Sequence, residues 1–512
     1  MKNSILIFGD QLTLENTALQ VGEAGRDAVL LVEARDSGRA HKIKRVFQFA
    51  AMREFAATLR EHGWEVDYRK MADAPSLLDA LQDHLRSGPD ELLVMEPNNW
   101  SQLQILNRAA AASGIPLRIT PTCQFVTPRE EFFGFAKGKK RLLMEAHYRQ
   151  ARQKTGILMR DDGEPEGGAW NYDAENRKTV RDWKKDGAPK PPASATAQRR
   201  QSAILAEVIA EVIAEVTHWF PEDVGRAEDC WLPTSRAEAL EALRQFVEQR
   251  LPLFGDYQDL MLQDSQTMFH SLIAAPLNLG LLLPMECALA AERAYKSGRA
   301  PLAAVEGFVR QIIGWREFVN GVYWLKMPDY LQSNGLCATR KLPAFFYSGE
   351  TDMNCLRCVI REVKDTAYNH HIQRLMILGN FLLLAGISPQ EAHDWFLEMY
   401  IDAHEWVMAA NVLGMALHAD SGFMATKPYA GSAAYISKMG NYCSGCHFDP
   451  NKKSGPGACP FNLLYWDFYN RHADRFASNP RTSMMVSAWR KRPQAEREAI
   501  CREAAGFLAG MT

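Results

Sequence analysis

The chain has no long hydrophobic run. No stretch of 18 or more apolar residues occurs in its 512, and its longest apolar segment, MILGNFLLLAGI, is short and interrupted. A membrane-spanning helix needs about 20 such residues, so no span and no membrane partner are expected. The start, MKNSILIFGD, lacks both a long apolar core and a small-residue cleavage site. No signal peptide is read from it, and a cytoplasmic protein is expected. Cysteine is scarce: ten residues are far too few for a disulfide scaffold. Their clustering points instead to metal binding in a reducing compartment. Charge of one sign is also lacking, and a net −2 neither demands nor excludes a nucleic-acid partner. The first strand runs into FGDQL, without the Gly-x-Gly-x-x-Gly of a dinucleotide fingerprint.

What is present divides the chain in three. SILIFGD, AVLLVEAR, WEVDYRK, ELLVMEP and PLRITP read as short strands, and 43–62, 74–87 and 101–114 carry helical periodicity between them. Alternation of this kind predicts a parallel, Rossmann-like sheet with helices on both faces, over residues 1–130. Residues 131–235 read as a linker. It is rich in turn residues, Pro and Ala, and it carries the basic segments KGKKR (137–141), NRKTVRDWKK (176–185) and QRR (198–200). From 236 to 512 strand signals nearly vanish, and eight of the twelve tryptophans lie at or after Trp219. The fold class expected is an α/β domain followed by a large all-helical domain.

Residues 441–462, NYCSGCHFDPNKKSGPGACPFN, hold three cysteines in a turn-rich loop. Cys443 and Cys446 stand at the spacing that lets two thiolates face one metal, and Cys459 precedes a proline. A fourth ligand is needed. NCLRC offers Cys355 and Cys358; pairing both with Cys443 and Cys446 makes a zinc site but strands Cys459. One of the two joined to the three loop cysteines suits an iron–sulfur cluster better. His447 is a further zinc candidate, although a surface residue is the better reading of it. On spacing alone, cluster, zinc and no metal all stay open.

The helical segments carry polar groups where core helices are apolar. FGDYQDLMLQDSQTMFHSLIAAPLNLGLLLP (254–284) reads as a buried helix containing Tyr257, His270, Ser271 and Asn278. VRQIIGWREFVNGVYW (309–324) places Gln311, Trp315, Arg316 and Glu317 within two turns. YNHHIQRLMILGNF (368–381) sets His370 and His371 before an apolar helix, and WFLEMYIDAHEWVMAANVLGM (395–415) joins aromatics to Asp402 and Asn411. Taken singly, a histidine pair is a helix cap and an aromatic stripe is core. Together they put many hydrogen-bonding groups inside one domain, and buried polar groups need partners. A large polar aromatic ligand such as a flavin dinucleotide supplies them.

At these motifs the chain resembles the photolyase/cryptochrome superfamily, and more closely its iron–sulfur bacterial cryptochrome and photolyase group. GGAWNYDAENRK, HSLIAAPLNLGLL, GWREF, HHIQRLMILGNFLLLAGI, ATKPYAGSAAYISKM and YCSGC…ACPFNLLYWDF occur in order along nearly the whole length. The resemblance implies light-dependent repair of (6-4) pyrimidine–pyrimidone photoproducts in UV-damaged DNA by a monomeric (6-4) photolyase; the alternative is a blue-light-sensing cryptochrome without repair. It implies FAD, with contacts from Tyr257, His270, Ser271, Gln311, Trp315, Arg316, Glu317, Asp402 and Asn411. A [4Fe–4S] cluster is implied on Cys355, Cys443, Cys446 and Cys459, with Cys358 left out. His371 is the implied proton donor, His370 a weaker partner, and Trp395 the flavin-proximal aromatic of an electron-hopping chain. Beyond Trp395, Phe396 and Tyr347 are poor carriers, so Tyr400 or Trp406 are alternative members. A 6,7-dimethyl-8-ribityllumazine antenna is implied at Gly9, Asp10, Gln11 and Glu33, although the segment ARDSGRAHKIK is short and lacks an aromatic.

Overall fold

Five strands form one parallel sheet in the order β3-β2-β1-β4-β5: β1 (Ser4–Leu6), β2 (Ala28–Val32), β3 (Glu65–Arg69), β4 (Leu92–Met95) and β5 (Leu117–Thr120). These come from a computed structural model that describes residues 2–35, 38–192 and 203–511; the QRR segment lies outside the described residues. Each strand falls where the sequence predicts one. Central strands read AVLLV and LLVM and are wholly buried, as strands with helices on both faces must be. The edge strands, EVDYR and LRIT, are partly exposed. Helices α1 (Thr17–Val21), α2 (Lys42–Glu61), α3 (Leu77–Leu85) and α4 (Trp100–Ser113) connect them. Gly114, at φ 69°, closes α4 in the left-handed conformation that ends many helices.

The segment expected to be a linker is largely docked. Helix Ala203–Trp219 lies against α2, where Arg53 pairs with Glu33 (2.7 Å), Glu211 (2.9 Å) and Glu215 (2.6 Å). Helix Met144–Thr155 packs on the helical half, Tyr148 lying against Gly314 and donating to Glu306 at 3.0 Å.

Among the described residues no strand follows β5, and none of the helices is long and apolar enough to cross a membrane. Three stretches widen into π-helical turns: Arg310–Arg316, Arg374–Gly379 and Ala409–Ala416. Two of the predicted helices are broken. Between Leu251–Tyr257 and Ala274–Leu279 the chain is irregular, so His270 and Ser271 sit in a connection rather than in a helix. Met268 and Leu272 hold positive φ there (43° and 61°), which a helix cannot contain. Asp402 lies in a second break, between Pro389–Met399 and Glu405–Met408.

A polar seam joins the two halves. Leu12 N–H donates to the Leu279 carbonyl at 2.7 Å, and Trp100 N–H to the Tyr323 hydroxyl at 2.7 Å. Tyr323 donates in turn to Glu405. A Cβ on Gly280 (φ 85°) would lie 2.9 Å from Gln124 Nε2 and 3.1 Å from Leu12 N, so the approach requires glycine.

Candidate functional site

The helix that starts at His371 organises the first site. His370 is its N-cap residue, with its backbone N–H held by Gln373 Oε1 at 3.0 Å. His370 is buried, both its ring nitrogens lack a partner among the described residues, and its ring stacks on His270 at 4.6 Å and 13°. His270 bonds the Gln258 carbonyl at 3.1 Å. His371 is exposed, yet burial pushes its imidazole down to about 4. Arg374 and Asp402 lie within electrostatic reach of it, and the three outline the candidate His371 recess.

One turn on, Arg374 donates to Asp402 Oδ1 at 2.8 Å and to the Asn369 carbonyl at 2.7 Å. The pair is nearly buried, with 12% and 13% of the two side chains exposed. Asn278 fixes Asp402 through its carbonyl at 3.0 Å. Lys44, from α2, reaches the Leu397 carbonyl at 3.2 Å; burial pulls its ammonium down to about 8. Burial likewise lowers His404 to about 3. Lys44 and Arg374 thus both lie within electrostatic reach of Asp402, in a place that penalises charge, while Asp223, also near Lys44, is paired with Arg45.

The fold spreads the other flavin candidates more widely. Gln311 and Trp315 lie half-buried in the first π-helical stretch, Gln311 donating to the Gly307 carbonyl at 3.3 Å and Trp315 packing on Phe318 at 6.2 Å. Asn411 lies in the third π-helical stretch and bonds the Val407 carbonyl at 2.8 Å. Ser271 contributes its carbonyl to Arg250 at 3.3 Å. Tyr257 turns toward the loop that follows the second basic segment, donating to Asp186 at 2.9 Å. Arg316 and Glu317 serve the seam. Arg316 donates to the Gln124 carbonyl at 2.6 Å and lies over Phe125 and Trp406. Glu317 accepts from the Val126 and Thr127 amides at 2.8 and 2.9 Å, and burial pushes its carboxyl up to about 7.

Trp395 is fully buried, its Nε1–H on the Phe346 carbonyl at 3.2 Å. Around it stand Phe346 (5.1 Å), Phe396 (5.2 Å) and Tyr400 (6.0 Å). Tyr400 lies under the Arg374 guanidinium at 3.9 Å, which makes it the ring between Trp395 and the recess. Sequence reading did not single out Arg374, Lys44 or His404. Only the neighbouring His371 and Asp402 hinted at Arg374, and nothing local marked Lys44.

The second site is a small pocket lined by Cys355, Cys443, Cys446 and Cys459, with Met353, Ile436, Tyr442, Phe448 and Phe461. Cys355 is the second residue of helix Asn354–Thr366, and Cys459 is the N-cap of helix Pro460–Arg471. Thiolates gain from both placements, because a helix N-terminus carries partial positive charge. Burial, then Cys459, Cys443 and Cys446, push the Cys355 thiol well up, so each thiolate opposes the next. A cation among them reverses that sign. Among the described residues no three His, Cys, Asp or Glu close to the spacing of a single metal ion, which for zinc is set by bonds of about 2.3 Å to sulfur. All ten cysteines are free thiols. Neither Cys358, whose Sγ lies 3.5 Å from Asn354 Oδ1, nor His447 lines the pocket.

The residues expected to hold an antenna are spent inside the fold. Asp10 is taken by Asn98 (3.2 Å), Asn99 (3.3 Å) and Gln102 (3.0 Å), and Glu33 by Arg53 (2.7 and 2.8 Å), Tyr68 and the Met71 amide (3.3 Å). Gln11 donates to the Glu96 carbonyl at 2.8 Å. A Cβ on Gly9 would meet Gln48 Nε2 at 2.7 Å and Met52 Sδ at 2.8 Å. Asp10 and Glu33 are thus committed to the fold, whereas Gln11 Oε1 has no partner among the described residues.

Of the basic segments, Arg177 pairs with Asp173 at 2.9 Å, and Lys178 with Asp186 and Asp256 at 2.8 and 2.9 Å. Arg181, Lys184 and Lys185, on helix Val180–Lys185, make no ion pair among the described residues.

Comparison with known proteins agrees with this architecture. Residues 5–231 match the family model described as deoxyribodipyrimidine photo-lyase-related protein. The chain is 42% identical over 516 residues to a (6-4) photolyase of Agrobacterium fabrum (strain C58 / ATCC 33970), covering 99% of each. By fold it resembles a bacterial class III photolyase from Agrobacterium tumefaciens (TM-score 0.52, 16% identity, 80% of this chain and 78% of that one). It also resembles the cryptochrome of Synechocystis sp. PCC6803 (TM-score 0.58, 12% identity, 85% and 86%). Sequence identity over the full length, in a chain with this two-part fold, assigns it: it belongs to the photolyase/cryptochrome family.

Proposed function

We propose that this chain is a light-dependent DNA-repair enzyme that reverses (6-4) photoproducts, with FAD held in the His371 recess. The observation that carries the reading is the gathering of Lys44, Arg374 and Asp402 beside His370 and His371. Lys44 and Arg374 fit a diphosphate, and the orphaned His370 ring and the half-buried Gln311 and Asn411 fit a polar ring system. When bound, FAD supplies light absorption and electron exchange. The chain's own side chains do the rest. His371 is neutral near pH 7 and presents an imidazole N–H to whatever enters the recess. DNA phosphates approaching it raise its pKa and make it the proton donor that returning a hydroxyl to its base requires. Trp395 and Tyr400 form the oxidisable pair leading to the recess. Arg181, Lys184 and Lys185 offer uncommitted charge for DNA phosphates.

Cys355, Cys443, Cys446 and Cys459 would hold a [4Fe–4S] cluster, which would tie helix Asn354–Thr366 to helix Pro460–Arg471 and the loop between. The test is repair under blue light of an oligonucleotide bearing one (6-4) lesion, beside a cyclobutane-dimer control and a His371→Ala variant. Restored bases only with the (6-4) substrate, and only with His371 present, are expected. A yellow protein that repairs neither lesion would turn the assignment to a photoreceptor.

A further inference from the structure

The helical stretch that begins at His371 ends at Gly386, and a second cavity of about 220 Å3 opens at that far end. It shares no lining residue with the thiol pocket and none of the residues placed in the recess. Arg340, Arg471, His472 and Thr339 line it over Leu382, Ile387 and Leu417. The two guanidiniums are neighbours: a Cβ on Gly386 would lie 3.1 Å from Arg340 Nη1 and 3.4 Å from Arg471 Nη1. Each spends one donor on the helix end, Arg340 Nη1 on the Ala385 carbonyl at 2.9 Å and Arg471 Nη2 on the Leu384 carbonyl.

Capping explains those bonds and no more. Arg471 Nε is held by Asp467 at 2.7 Å. Arg471 Nη1, with Nε and Nη2 of Arg340, has no acceptor among the described residues. No carboxylate lines the cavity, so the Arg340 charge is uncompensated there. Burial and the neighbouring arginines lower His472 to about 4, leaving it a neutral hydrogen-bonding ring. The rim is preformed. Asn334 ties both ends of its amide to Ala338, at 2.9 and 2.8 Å, and the Arg340 backbone is bridged to Gly386 (3.2 Å) and Ser388 (2.8 Å).

We propose that this cavity binds a small phosphate-bearing anion, such as inorganic phosphate or a nucleoside 5′-monophosphate. Adjacent planar guanidiniums suit the several oxygens of a phosphate: Arg340 offers the paired N–H donors of Nε and Nη2, and Arg471 adds Nη1 beside them. The volume lies just under the range of most ligand pockets, which favours a phosphate with a small body. A phosphate could also arrive on DNA, and the experiment separates the two sources.

The intact protein would be titrated calorimetrically with inorganic phosphate, with 5′-dTMP and with an undamaged duplex, beside Arg340→Gln and Thr339→Glu. Thr339→Glu sets a carboxylate at the rim while leaving both helix-end bonds in place. Saturable heat with either small anion, weakened roughly tenfold or more in both variants, is expected. No heat from phosphate or dTMP, or equal binding by wild type and both variants, overturns the proposal. Duplex binding that falls in the variants without any small-anion binding also overturns it, giving the arginines to the DNA backbone instead.

Discussion

Glu362 is buried on helix Asn354–Thr366, its Oε2 accepting from Gln373 at 2.9 Å, and burial pushes its carboxyl up to about 8. A carboxyl raised above its unfolded value, about 4.3, stabilises the fold fully below that value and loses its contribution as pH rises through 8. Glu362→Gln should therefore match wild type in urea stability at pH 5 and exceed it at pH 9. Parallel curves would refute the buried neutral acid. The thiols give a second test at this scale. Cys355→Ser and Cys459→Ser should lose iron, sulfide and visible absorbance and melt about 5–10 °C lower, whereas Cys358→Ser should keep all three. Metal analysis and a thermal melt check it. Which cysteine to leave out was open on spacing, because Cys355 and Cys358 lie on one helix a turn apart. Family resemblance chose Cys355, and helix direction carries Cys358 away from the pocket.

The three π-helical stretches carry or adjoin most recess and seam residues: Gln311, Trp315 and Arg316 in one, Arg374 in the next, Asn411 in the third. Widened turns of this kind recur at functional sites. Two of them touch through Gly379, where a Cβ would lie 2.9 Å from Ala416 Cβ. Gly379→Ala should cost about 1–3 kcal/mol by overpacking, read from urea unfolding, and should weaken FAD retention on gel filtration. The five strands were legible because short apolar runs between turn residues have few other readings. The widened turns were not, since one extra residue per turn leaves the apolar pattern helical. The breaks holding His270 and Asp402 escaped notice for the same reason: apolar flanks masked them.

Across the molecule, a polar seam rather than a linker fixes the two halves. Tyr323→Phe removes the hydroxyl that accepts from Trp100 and donates to Glu405. Leaving those buried groups unpaired should cost about 1–3 kcal/mol, seen as a lower urea midpoint with unchanged far-UV circular dichroism. DNA affinity is expected to fall with salt, and Lys184→Ala/Lys185→Ala should flatten that dependence by about two phosphate contacts. Fluorescence anisotropy at several salt concentrations measures it; an unchanged slope would remove helix Val180–Lys185 from the interface.

Sequence by itself determined the parallel sheet and the change to helices, because each rests on periodicity, and it singled out His370, His371 and Asp402 as candidates through motifs within a few neighbours. Tertiary structure decided what surrounds them. Lys44 meets the Leu397 carbonyl across 353 positions and Trp406 meets Asn99 across 307. Contacts at that separation leave no local pattern. It also gave Arg316, Glu317, Asp10 and Glu33 to the framework, since a buried charge takes whichever partners the packed chain brings within reach.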